Sequence, residues 1–142
     1  MLARCILFAV VGLGLEVFFT GILEAIYPDK TFYPPMNQKK FLFGYSSVTY
    51  MPLYAFAYPF FVATHLWLFS MSVFERAVFY ALAFPILEVI WMFALRMLLG
   101  QSPSEYHYFK AGDSLWGLTR PIYIPAFIFA GFALEWLFKS LR

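Results

Sequence analysis

The sequence predicts an all-α membrane protein whose four transmembrane helices form two tandem helical hairpins. First, only 13% of the 142 residues are charged and 63% are hydrophobic, whereas soluble domains carry about 25% charge. Second, four stretches approach the run of about 20 apolar residues that a spanning helix needs. Third, the tripeptide Leu15-Glu16-Val17 returns as Leu87-Glu88-Val89, each near the middle of an apolar run. A repeated unit with a carboxyl at bilayer depth is the simplest description of all three.

The first expected span is 2–26. Arg4 followed by apolar residues imitates a signal peptide, but the run continues past Glu16 without a small-x-small cleavage site, so a retained helix is expected. The second span is about 48–69, the third about 74–99 and the fourth about 121–138. Only residues 70–73 separate the second and third, which predicts a tight antiparallel pair. The loops over 27–47 and 100–120 are longer and rich in Tyr and Phe, which suits the headgroup region. Tyr27-Pro28 and Tyr33-Pro34-Pro35 exclude a continuous helix in the first loop. Pro52, Pro59, Pro85, Pro121 and Pro125 fall inside or at the ends of spans, where proline frees carbonyls and shapes helices.

The chain is expected to form a single membrane domain over 1–142, with repeat 1 over about 1–72 and repeat 2 over about 73–142. Superposing the two glutamates also sets Glu24 over Arg96 and Phe43-Gly44 near Trp116-Gly117. Met51-Pro52-Leu53-Tyr54 then resembles Arg120-Pro121-Ile122-Tyr123 if the second loop is shorter. Two such hairpins would be related by a pseudo-twofold axis along the membrane normal. The charges give only a weak preference for cytoplasmic long loops.

An ionisable group inside a span normally has a partner or a task. Glu16 has Gly12 and Thr20 one turn away on either side, and Gly21 with Ala25 makes a small-xxx-small pair suited to close helix contact. Glu24 and Arg96 are candidates to pair across the pseudo-axis. Glu16 and Glu88 are then expected to face each other or the interior, with one of two close carboxyls holding a proton. Tyr54, Tyr58 and His65 share a stripe of the second helix. His65 reads first as a structural residue. Arg120 opens the fourth helix and is placed to meet an acid or an anionic headgroup. Glu135, near the other end of that helix, is expected to snorkel to water. Glu105, Tyr106 and His107 form a candidate interfacial group in the last loop, with solvated residues as the plainer reading.

Several classes are excluded or unsupported. The net charge of +2 and the lack of a basic run give no reason to expect nucleic acid. No phosphate-binding loop is present, so ATP, if used, comes from a partner. No metal-ligand spacing and no nucleophile arrangement stand out. Cys5 is the single cysteine, and it reads as a small apolar residue. No cofactor is expected.

The pattern Gly12, Glu16, Val17, Phe19, Thr20, followed by Gly44, Ser47, Val48 and Tyr54, then Glu88, then Pro103, Glu105, Tyr106 and Gly117-Leu118, resembles a family of small bacterial membrane proteins. That family carries an ABC-transporter permease (type IV) label and includes the vertebrate transmembrane protein 229 group. The chain departs from it at Leu87, where the family often has Trp, and at Ser104-Glu105-Tyr106, where it often has Trp-Asp-Tyr. The resemblance implies a multi-pass protein of the bacterial inner membrane with a transport role, and brings no mechanism with it.

The leading expectation is a transport or channel-like component using Glu16 and Glu88, working in the bilayer as a homo-oligomer or within a larger membrane complex. A structural or assembly subunit is the alternative. A lipid-modifying enzyme using Glu105, His107 and Arg120 comes last.

Overall fold

The computed structural model describes residues 1–26, 44, 46–105, 108–109 and 112–142, and of Glu24 the backbone alone. The expected first loop lies outside the described residues except for Gly44, Ser46 and Ser47. The described residues are helical, without a strand. The helices are α1 (Leu2–Ile26), α2 (Met51–Leu68), α3 (Val73–Leu99) and α4 (Ile124–Ser140).

The helix ends follow local chemistry. Ser72 caps α3, accepting from the Glu75 amide while the Glu75 side chain accepts from the Ser72 amide. This reciprocal box satisfies two amides that the first turn cannot. At the other end Gly100 turns left-handed at φ 82° and its amide bonds Arg96 O, a stop that glycine accepts without steric cost. Helices α2 and α4 share another kind of start. Each comes after a single 3-10 turn, Val48–Tyr50 or Pro121–Tyr123, preceded by an extended residue, Ser47 or Arg120.

The two turns have matching sequence surroundings. Val48–Tyr50 corresponds to Pro121–Tyr123, which pairs Tyr50-Met51-Pro52 with Tyr123-Ile124-Pro125. The same offset joins Gly44 to Gly117.

The stretches Leu2–Leu23, Val73–Leu99 and Pro121–Ser140 are long and apolar enough to cross a membrane. Helix α2 is not among them: its 18 residues include Tyr54, Tyr58, Pro59, Thr64 and His65. The outward side chains of α3 agree with a lipid setting. Leu82, Ile86, Ile90 and Phe93 are all more than half exposed and recur at helical spacing. On a soluble protein such a stripe would be an adhesive patch; in a bilayer it is ordinary helix surface. The chain is therefore an all-helical protein of multi-pass membrane type.

The chain divides into two compact units, Met1–Tyr58 and Pro59–Arg142. In the first, the Phe8 ring meets Tyr58 edge-on and Tyr54 lies against Gly12. In the second, Phe84 stacks on Phe127, Tyr80 meets Phe132, and Phe60 stacks on Phe79. Apolar burial contributes little to helix association when the solvent is lipid, so close packing of this kind carries more of the weight.

Candidate functional site

In the first unit the candidate site is built around Glu16. Two glycines bring its partners within reach. A Cβ on Gly12 would lie 2.3 Å from Tyr54 Cγ, so only a bare Cα lets the Tyr54 ring cross α1 there. The phenol then extends one turn along and donates to Glu16 Oε2 at 3.0 Å. A Cβ on Gly44 would lie 1.7 Å from Val17 O, so the chain entering α2 runs backbone to backbone along α1. Two residues later Ser46 Oγ donates to the same Oε2 at 2.8 Å. Thr20, a turn beyond, returns its hydroxyl to the carbonyls of Glu16 and Val17. The described side-chain partners of Glu16 are thus two hydroxyls. Near the start of α1, Arg4 donates to Tyr58 OH at 2.7 Å and lies over the same ring.

In the second unit Glu88 is buried in α3. Its Oε1 accepts from Tyr108 OH at 2.8 Å. Tyr108 is also buried and its ring rests on Tyr123, the residue that closes the 3-10 turn before α4. The segment carrying Tyr108 is tied down at both ends. Arg96 Nε donates to Glu105 Oε2 at 3.0 Å and Arg96 also donates to Trp116 O at 2.8 Å. Arg120 Nε donates to Asp113 Oδ1 at 2.7 Å. Between these ties Trp116 and Gly117 are both left-handed, at φ 54° and 71°, and the Phe109 ring fills the space above Gly117 that a Cβ would need. Glu105 is held below the usual carboxylate range by the Ser102 amide and, next to it, by the Arg96 guanidinium.

Of the residues singled out in the sequence, Glu16 meets Tyr54 and Glu88 meets Tyr108, each within its own unit. Arg96 and Arg120 hold the last loop through Glu105 and Asp113. His65 Nδ1 lies 3.0 Å from Val62 O, and its ring packs against Phe69 and Phe138, as suits a structural histidine. Tyr106, His107 and the side chain of Glu24 lie outside the described residues. Among the described residues no group of His, Cys, Asp and Glu is placed to hold a metal ion.

The expectation for Glu135 is overturned. It is 4% exposed, not solvated. Tyr80 OH donates to its Oε2 at 2.8 Å, Arg76 Nε approaches that oxygen at 3.4 Å, and Lys139 binds Oε1. Snorkelling fails because α4 turns this carboxyl toward α3, where Arg76 and Tyr80 stand. The signal was present as spacing: Arg76 and Tyr80 are four apart on α3, and Glu135 and Lys139 four apart on α4, so each pair shares a helix face. Ser46 and Tyr108 had no such signal, because both partners are remote in sequence.

Compared with protein-family models, curated proteins and solved structures, the chain matches none of them.

Proposed function

We infer that the chain is a small membrane transport or channel-like component in which Glu16 and Glu88 take up and release a proton or small cation. The observation that carries this is the partner set of Glu16. A carboxyl kept only to fix packing is best matched by a fixed cation, as Glu135 is by Arg76 and Lys139. Glu16 instead receives Ser46 and Tyr54. Hydroxyls donate to a carboxylate and, after rotation, accept from a protonated carboxyl. Both charge states can therefore be satisfied without breaking an ion pair. Glu88 with Tyr108 repeats part of this arrangement.

The likeness to small bacterial membrane proteins with a permease label accords with such a role, and with the inner membrane as its place. Any ATP hydrolysis then belongs to a partner, and a homo-oligomer or larger complex supplies a wider path than four helices do. The test is proton or cation flux in proteoliposomes carrying the wild type, Glu16→Gln, Glu88→Gln and the double variant. Loss of flux in the double variant is expected. Unchanged flux and pH dependence would remove this function.

A second reading, an assembly subunit, is favoured by the tight glycine contacts at Gly12 and Gly44, which fix packing without any chemistry. Copurification with one larger complex, undisturbed by the glutamine substitutions, would favour it. A lipid-modifying role gains no support, since Glu105 and Arg120 are engaged in holding their own loop.

A further inference from the structure

One buried carboxylate, Glu135, meets two cations, Arg76 and Lys139. Arg76 is the uneven member. Its side chain is only 13% exposed, yet its Nε is buried without a hydrogen-bond partner. Its one hydrogen bond among the described residues is a long one, 3.4 Å to Met71 O. A guanidinium offers five donors in a planar fork suited to carboxylate or phosphate. Of these donors, Nε is enclosed without a partner. Glu135 is already shared, its Oε2 with Tyr80 and its Oε1 with Lys139, and Arg76 Nε stands 3.4 Å from Oε2 without forming a hydrogen bond.

The position narrows the ligand. Arg76 stands in the first turn of α3 and Lys139 in the last turn of α4, so both cations sit at the ends of apolar helices, where headgroups lie. Lys139 is about half exposed and forms the open rim. The walls are aromatic: Arg76 faces the Phe132 ring and Lys139 the Phe69 ring. Basic pockets between helix ends are the recurrent sites for anionic headgroups. We propose that Arg76 and Lys139 form a binding site for a phosphate group, carried by an anionic phospholipid or present as free phosphate, with Glu135 as the internal anion that the phosphate competes with. This site is separate from Glu16 and Glu88, and its test does not depend on transport.

The full chain, purified in detergent and supplied with phosphatidylglycerol and phosphatidylcholine, is assayed by native mass spectrometry for retained lipid. The wild type is expected to retain phosphatidylglycerol selectively. Arg76→Gln should lower that retention by roughly tenfold, the loss of about one charge-assisted hydrogen bond. Lys139→Gln, at the half-exposed rim, should lower it as well, with the unfolding temperature measured alongside to separate lost binding from lost folding. Glu135→Gln should raise it, because a competing anion is gone. Inorganic phosphate added to delipidated protein separates the sources. Thermal stabilisation by phosphate without selective lipid retention assigns the site to free phosphate; selective lipid retention assigns it to the headgroup. Equal retention of both lipids together with no phosphate stabilisation overturns the site. So does a Glu135→Gln chain that binds the ligand so assigned, lipid or free phosphate, no more tightly than the wild type, since an ion pair serving only the fold predicts lost stability without tighter anion binding.

Discussion

Glu16 and Glu135 are both carboxyls inside apolar helices, and their surroundings ask opposite things of them. Glu135 is fixed by two cations and a phenol, and its loss should be felt mainly as instability. Tyr80→Phe removes one donor to it and should cost about 1–3 kcal/mol, the usual effect of stranding a buried acceptor. Thermal unfolding in a single detergent measures this. At Glu16 the corresponding change, Ser46→Ala, removes one of two hydroxyls and should cost about 1 kcal/mol. Thr119 offers an internal contrast. Like Ser46, it stands two residues before a 3-10 turn; it is 1% exposed, and its hydroxyl has no hydrogen-bond partner among the described residues. Thr119→Val should therefore be neutral or stabilising, because it removes a desolvated hydroxyl at little change in shape. If Ser46→Ala and Thr119→Val destabilise equally, the hydroxyl of Ser46 has no special place at Glu16.

At the scale of elements, the glycine contacts decide how closely α1 meets α2 and the chain entering it. Gly12→Ala would drive a methyl into the Tyr54 ring. Overpacking of this kind costs about 1–3 kcal/mol, and it should also pull the phenol away from Glu16. Gly44→Ala is expected to be worse, because the obstructing atom is a backbone carbonyl that cannot rotate aside. Both variants can be ranked by unfolding temperature. The last loop has its own sensitivity. Glu105 is held below its ordinary value by the Ser102 amide and Arg96, so its bonds contribute fully above the ordinary glutamate range. That contribution is lost as pH falls through the lowered value. Trp116, whose carbonyl Arg96 holds, should report the loosening as a fluorescence change on acidification, and Glu105→Gln should show the loosened signal already at neutral pH. A pH-independent Trp116 signal in the wild type would exclude this coupling. The helices themselves were legible in the sequence to within a few residues, since runs of mainly apolar residues between polar stretches mark them. The 3-10 turns were not. They depend on an extended residue before the turn and on the backbone that precedes it, and a hydrophobicity pattern carries no trace of either.

At the scale of the whole molecule, the membrane class is visible in composition, and the structure adds the apolar stripe of α3 that such a class requires. The two acids at the centre of their helices were also legible, because charge inside an apolar run stands out. Their partners were not. Ser46 and Tyr108 are ordinary residues in loops, and only the folded chain brings them to Glu16 and Glu88. The burial of Glu135 was hidden for a related reason: position near a helix end says how far a side chain is from water, but not which way it points.

The distance in sequence between Glu16 and its hydroxyls also has a consequence for how the protein is made. Ser46 comes 30 residues after Glu16 and Tyr54 comes 38 after it. At about 5–20 residues per second, the rate of chain synthesis, Glu16 is made roughly two to eight seconds before Tyr54 exists. During that interval an acid at the middle of α1 faces lipid or the insertion machinery without the partners that satisfy it. Helix α1 should therefore enter the bilayer hesitantly and settle only when the start of α2 emerges. Force measured on a stalled nascent chain should show a second pull at that length, and Glu16→Leu should merge it with the first. A single pull in the wild type would mean that α1 commits to the membrane with its carboxyl still unmatched.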